Sequence, residues 1–212
     1  MYNNLYNIDV ELKIILLGDS AVGKTSLLMR YTQNKFSDNH ISTLGVEYET
    51  KQIRMNNKNV LLHFMDTSGQ DKYRALTKNM FNDIDGVVFV FDVTIKESFD
   101  NIKDWLKDVE SYCPDFSCVL VGNKIDLQNS KCVNEEDIKN IDCLKDKEYF
   151  EASAKDNINV DKPFEKLTDI ILMKLVRTGS ISNYERSRTQ SFNLENPSNK
   201  AKPDKSCSCC CS

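Results

Sequence analysis

The sequence predicts an α/β fold built on a mostly parallel sheet, and three observations carry the prediction. Short apolar runs alternate with segments of helical spacing. One hairpin signal, Asn56-Asn57, joins two β-type runs. The polar motifs follow the ends of apolar runs, where α/β sheets bind their ligands. In chain order, Leu12 to Leu17 is a buried strand ending at Gly18, and Lys24 to Gln33 is a helix. Tyr48 to Met55 and Val60 to Met65 are the paired strands, and Val87 to Phe91 is a strand ending at Asp92. Glu97 to Tyr112 is an amphipathic helix with Phe99, Ile102, Trp105, Leu106 and Val109 on one stripe. Cys118 to Val121 is a strand, Glu135 to Leu144 a weaker helix, and Glu148 to Glu151 a short strand. Asp161 to Val176 is the last helix, with Pro163 tolerated in its first turn.

With 212 residues the chain has room for one domain and a tail. No apolar run approaches the roughly 20 residues that span a bilayer. Met1 to Val10 has neither a basic start nor a long apolar stretch, so no signal peptide is expected. A net charge of -4 argues against nucleic acid as a partner. Beyond Val176 the sequence becomes polar and cannot bury enough surface to offset its ordering entropy, so 178–212 is expected to be a disordered tail. There Arg186, Arg188, Lys200, Lys202 and Lys205 outnumber Glu185, Glu195 and Asp204. Cys113, Cys118, Cys132 and Cys143 are spread through the body and read as reduced thiols, whereas Cys207, Cys209, Cys210 and Cys211 crowd the end.

Gly18-Asp19-Ser20-Ala21-Val22-Gly23-Lys24-Thr25 fits the phosphate-loop pattern GxxxxGK[ST]. Its glycines let backbone N–H groups turn toward phosphate oxygens, and the N-terminus of the following helix, Ser26 included, adds positive potential. Lys24 would reach the β- and γ-phosphates, and the Thr25 hydroxyl would bind Mg²⁺. In Asp66-Thr67-Ser68-Gly69-Gln70 the carboxylate can serve the metal through water, the Gly69 N–H can meet a γ-phosphate, and Gln70 can orient water. In Asn123-Lys124-Ile125-Asp126 the carboxylate can accept from guanine N1–H and its exocyclic amine, a donor pair adenine lacks. Taken singly, the last two motifs are ordinary strand-exit turns, and Ser153-Ala154-Lys155 is uninformative.

In this order, each after a strand, the four motifs resemble those of the Ras superfamily of small GTPases over about Leu12 to Val176. The resemblance implies a six-stranded sheet flanked by five helices, GTP and GDP as ligands, and Mg²⁺ as cofactor. It divides the chain into an N-terminal extension (1–11), a GTPase domain (12–177) and the tail (178–212). It makes Thr43 the switch threonine that coordinates Mg²⁺ beside Thr25 and Asp66, Phe36 the aromatic that packs on guanine, and Gln70 the water-positioning residue that works with Lys24. The nucleotide set is then Asp19 through Ser26, Phe36, Thr43, Gly69, Asn123, Lys124, Asp126, Ser153, Ala154 and Lys155.

Within the superfamily, Ser42-Thr43-Leu44-Gly45-Val46-Glu47-Tyr48 and Lys72-Tyr73-Arg74-Ala75-Leu76-Thr77 are similar to Rab segments, STIGVDF and RFRSIT. Met65 stands where Rabs carry Trp, Ser68 replaces the Ala of DTAGQ, and Asp71 replaces the Glu that follows it. The Rab surface triad of aromatics would here be Tyr48, Met65 and Met80. The ending Cys209-Cys210-Cys211-Ser212 fits both the C-a-a-X and the Rab-type CCxx prenylation patterns, with Cys209 and Cys210 as lipid acceptors. A metal-binding or redox cysteine cluster is the rival reading. As a flexible coil the tail would reach roughly 30 Å.

The expected protein is a Rab-like GTPase on the cytoplasmic face of an intracellular membrane, with a cytosolic pool held by a prenyl-binding chaperone. An exchange factor, a GTPase-activating protein and effectors are implied by the resemblance. The rivals are a small GTPase of another branch and a GTP-binding module with little or no turnover. His40, His63 and Trp105 read as structural residues.

Overall fold

The computed structural model describes residues 8–38, 43, 45–70, 77–78 and 80–180. Six strands form one sheet: β1 (Val10–Leu17), β2 (Val46–Met55), β3 (Lys58–Thr67), β4 (Gly86–Asp92), β5 (Ser117–Asn123) and β6 (Glu148–Glu151). Their spatial order is β2-β3-β1-β4-β5-β6. Only the edge pair β2/β3 is antiparallel. Its turn is Asn56-Asn57, with φ of 50° and 61°. Both residues are left-handed, as a two-residue hairpin that matches strand twist requires, and Asn tolerates that region.

The described helices are α1 (Lys24–Gln33), α2 (Lys96–Asp100), α3 (Ile102–Tyr112), α4 (Glu135–Lys139) and α5 (Asp161–Arg177). They cover both faces of the sheet. Alternate residues of β1 show why: Leu12, Ile14 and Leu16 pack with Leu27, Tyr31, Phe164, Leu167 and Leu172 of α1 and α5. Ile15 and Leu17 pack instead with Phe99, Ile102, Trp105 and Leu106 of α2 and α3, beside Phe89 and Phe91 of β4. A sheet buried on both faces needs near-continuous apolar strands, and every residue of β4 and β5 is buried.

Most strands run one or two residues beyond the sequence expectation, as β2, β3, β4 and β5 do, and three differences bear on the N-terminus and the helices. β1 begins at Val10, so Val10 and Glu11 are strand rather than N-terminal extension. Val10 pairs with Val60 and is buried, which extends the sheet by two residues. The helix expected over Glu97–Tyr112 is interrupted at Asn101, whose carbonyl accepts from both Asp104 N (3.0 Å) and Trp105 N (3.2 Å). The helix expected over Glu135–Leu144 stops at Lys139. Its start is fixed by a capping box between Asn134 and Asp137, but Asn140 and Asp142 beyond it are weak helix formers. The chain continues there as turns, with Leu144 N and Lys145 N both on Ile141 O at 2.9 Å.

The strand order reverses at β1, which lies between β3 and β4. The crevice beyond the carboxyl ends of strands at such a reversal is where open α/β sheets hold ligands. The loop leaving β1 is Gly18–Gly23.

Candidate nucleotide site

Loop Gly18–Gly23 wraps around one ammonium group. Lys24 is 4% exposed, and its Nζ donates to Gly18 O (2.8 Å) and Asp19 O (2.7 Å). Burial lowers its pKa to about 8, against the pull of Asp66 and Asp19. Two of its three N–H donors fix the loop, which leaves one for a ligand. Gly23 has φ of 95°, and a Cβ there would lie 2.3 Å from Asn123 Nδ2. Gly69 has φ of 66°, and a Cβ there would lie 2.4 Å from both Gly18 O and Lys24 Nζ. Only glycine lets the strand exit at Gly69 approach the loop this closely.

Beside Lys24, three side-chain oxygens converge from three segments. Thr25 Oγ1 donates to Asp66 Oδ2 at 2.5 Å and lies 2.9 Å from Thr43 Oγ1. The other carboxylate oxygen, Asp66 Oδ1, is buried with no hydrogen-bond partner among the described residues. Burial, with a contribution from Glu47, raises the Asp66 pKa to about 6 although Thr25 and Lys24 hold it down. A buried, unsatisfied carboxylate oxygen is costly. Two hydroxyls and a carboxylate form a hard, all-oxygen set of the kind that suits Mg²⁺. Thr43, Thr25 and Lys24 also line a cleft of about 410 Å³, together with Ser20, Phe36 and Glu47. Gln70 follows Gly69, its backbone N–H on Ser68 Oγ at 3.3 Å.

The NKxD and SAK motifs are stitched to the loop and to each other by hydrogen bonds, of which the two made by the Asn123 side chain are buried. Asn123 Nδ2 donates to Val22 O (2.9 Å), and Asn123 Oδ1 accepts from Ala154 N (3.2 Å). Lys124 has φ of 67° and sends Nζ to Ala21 O (2.8 Å) and to the buried Asp92 carboxylate (2.7 Å). The Ser153 hydroxyl donates to Asp126 Oδ1 at 2.6 Å and accepts from Asp156 N at 3.0 Å. Arg30 of α1 donates to Ala154 O (2.9 Å) and Lys155 O (3.1 Å), and its guanidinium lies 5.6 Å from the Phe36 ring centroid.

The structure therefore brings together Asp19 to Ser26, Thr43, Asp66, Gly69, Asn123, Lys124, Asp126 and Ser153 to Lys155, with Phe36 on the cleft wall. Sequence reading missed Arg30, Asp92 and Asn101 and took Trp105 for core alone. Asn101 Nδ2 and Trp105 Nε1 donate to the two carboxylate oxygens of Asp19, at 2.8 and 3.0 Å. The exit of β4 at Asp92 offered a signal, since the other polar strand exits had all been read as motifs. His63 is half-buried, with Nε2 3.2 Å from Glu11 Oε2, away from the nucleotide motifs. His40, Leu44, Lys72 to Leu76, Cys209 and Cys210 lie outside the described residues.

A six-stranded α/β domain with a phosphate loop at the strand-order reversal, an all-oxygen cation set and a carboxylate beside it is a nucleotide-binding domain. The chain matches the Ras family over residues 13–173. It is 39% identical over 170 residues to the human Ras-related protein Rab-3A, covering 80% of this chain and 77% of that one. It is 36% identical over 192 residues to Ras-related protein Rab-1 of Theileria annulata, covering 90% and 85%. The Theileria parva Rab-1 is 37% identical over 171 residues, covering 80% and 78%. The chain belongs to the Ras family as a Rab-like small GTPase, a GTP hydrolase.

Proposed function

We propose that this protein is a membrane-anchored switch of vesicle trafficking that binds GTP or GDP with Mg²⁺ and hydrolyses GTP slowly on its own. The observation that carries the reading is the unsatisfied Asp66 Oδ1 beside the Thr25 and Thr43 hydroxyls, next to a lysine with one donor left. When bound, Mg²⁺ supplies positive charge to the β- and γ-phosphates. This chain's own residues do the rest. The Lys24 ammonium meets phosphate oxygen, and the loop N–H groups cradle the others. Gly69 N–H meets the γ-phosphate, and Thr43 senses it. Gln70 orients the attacking water, Phe36 packs on the base, and Asp126 reads it. Asn123, Lys124, Ser153, Ala154 and Lys155 hold the base-reading segments against the loop.

Loss of the γ-phosphate removes what Thr43 and Gly69 hold, so the segments around them form the switch. An activating partner supplies the arginine that stabilises transition-state charge, and an exchange factor, effectors and a prenyl-binding chaperone complete the cycle. The effector face centres on Tyr48, which is 68% exposed, because its cross-strand neighbour Met65 is only 8% exposed. Lipid on Cys209 and Cys210 places the protein on the cytoplasmic face of an intracellular membrane, with a chaperone-bound pool in the cytosol.

Single-turnover GTP hydrolysis tests the reading. Gln70→Leu is expected to bind GTP as wild type does and to hydrolyse it at least tenfold more slowly. Equal measurable rates would assign the turnover elsewhere, and no turnover in either protein would favour a holding module over a switch.

A further inference from the structure

Asp19 is gripped from two sides. Its backbone carbonyl accepts from Lys24 Nζ at 2.7 Å. Its carboxylate accepts from Asn101 Nδ2 at 2.8 Å and Trp105 Nε1 at 3.0 Å, one donor to each oxygen. Both donors stand on a stiff base. Trp105 is 2% exposed and packs with Ile102, Leu106 and Val109. Asn101 marks the interruption between α2 and α3, where its own carbonyl takes two backbone donors. The two donors are 82 and 86 residues from Asp19 in sequence, so the phosphate loop is tied laterally to the α2–α3 corner.

A carboxylate in a phosphate-binding loop is an electrostatic liability, since like charges repel in a site of reduced dielectric. Two neutral donors engage both of its oxygens and hold it in one rotamer. We propose that Asn101 and Trp105 are positioning residues that keep the phosphate loop in its ligand-ready shape by holding the Asp19 carboxylate. The inference rests on the guanine-nucleotide reading of the loop and extends that site to a second pair of elements. Neither residue touches the ligand; both act through Asp19. With the tether cut, the loop samples shapes in which its N–H groups diverge, and bound nucleotide leaves faster.

Trp105 is the only tryptophan in the chain, so its emission reports this contact without a label. The test uses full-length protein loaded with radiolabelled GDP at fixed Mg²⁺ and follows release into excess unlabelled GDP. Trp105→Phe keeps the ring packing and deletes the N–H, and Asn101→Ala deletes the other donor. Each is expected to accelerate release about tenfold, a loss of about 1.4 kcal/mol. In an Asp19→Ala background, where release is already fast, each is expected to add less than twofold. Asp19→Asn keeps one acceptor and falls between wild type and Asp19→Ala. The preference for GDP over xanthosine diphosphate stays as in wild type, because the tether does not touch the base-reading segment. Asp19→Ala is expected to shift the tryptophan emission of the loaded protein, because the indole N–H loses its acceptor.

Unchanged release in Trp105→Phe and Asn101→Ala would overturn the inference. So would full acceleration persisting in the Asp19→Ala background, which would make the effect one of core packing. A wild-type protein that retained no GDP would instead overturn the nucleotide reading beneath it, and the inference with it.

Discussion

Asp126 is held from one side by the chain itself: the Ser153 hydroxyl donates to its Oδ1 at 2.6 Å, and Asp156 N in turn donates to that hydroxyl. The contact decides how an amide would sit in its place. In Asp126→Asn the Ser153 proton still needs an acceptor, so the amide oxygen faces Ser153 and the NH₂ faces outward. An outward donor opposes the 2-amino group of guanine and suits the 2-carbonyl of xanthine. An unpaired buried polar group costs roughly 1–3 kcal/mol. Loss on guanine and gain on xanthine add, so preference should move by two orders of magnitude or more toward xanthosine diphosphate. Competition binding of the two diphosphates to wild type and Asp126→Asn measures it, and an unchanged preference would remove Asp126 from base reading. The NKxD motif was legible through its place after the phosphate loop and DxxGQ, each at a strand end, since alone it reads as an ordinary turn. Ser153 entered the nucleotide set through the family resemblance alone, and its hold on Asp126 was not legible until the fold set the two together. Arg30 escaped for the same reason: a basic residue in the last turn of a helix is ordinary.

Elements were legible in proportion to their local signals. The Asn56-Asn57 hairpin has a strict turn chemistry and came out with the expected two-residue turn. The break at Asn101 was hidden because apolar spacing runs through it, and Asn101 itself keeps right-handed helical angles; its carbonyl takes the first backbone bonds of α3, while its side-chain amide engages a distant loop. The packing of α1 and α5 on the sheet is set by aromatics that periodicity identifies only as apolar. Tyr31 stacks on Phe164 with centroids 4.3 Å apart, and Phe64 meets Phe164 edge-on at 5.5 Å. Lys51 Nζ of β2 lies 3.5 Å from the Tyr31 ring centroid and donates to Tyr31 O at 2.5 Å. Phe164→Ala should therefore lower stability by about 3–5 kcal/mol. The Tyr31 hydroxyl is buried without a hydrogen-bond partner among the described residues, and burial, with nearby Glu165 and Asp161, pushes its pKa well above the usual phenol range. Tyr31→Phe keeps the stack and removes that unsatisfied group, so stability should rise by about 1 kcal/mol. Urea unfolding of GDP-loaded protein at fixed nucleotide concentration checks both, since ligand linkage then cancels between variants. A lower midpoint for Tyr31→Phe would show that the hydroxyl is satisfied after all.

At the scale of the whole molecule, strand–helix alternation made a parallel sheet legible, but not the order β2-β3-β1-β4-β5-β6, which depends on which way each crossover turns. Motif order filled that gap through family resemblance, and the site then fell at the reversal beside β1. Membrane attachment belongs to this scale too, because no described helix is long and apolar enough to cross a bilayer. Attachment in the proposed function therefore rests on the cysteines at the chain end. One lipid chain gives only marginal, reversible binding, and two chains give stable anchoring. Lys200, Lys202 and Lys205 add roughly 1 kcal/mol each on an anionic surface, too little to hold the protein alone. Loss of one acceptor should thus leave a weak, salt-sensitive association, and loss of both should leave none. Cys209→Ser and Cys210→Ser singly are expected to give a partial membrane fraction that high salt releases. The double variant is expected in the cytosolic fraction, with GDP loading equal to wild type because the site is built from residues 18–155. Fractionation of cells expressing each variant, with bound nucleotide measured on the same samples, makes the test. A double variant that stayed in the membrane pellet would move the anchor to Cys207 or Cys211, and one that lost its nucleotide would tie the chain end to the fold.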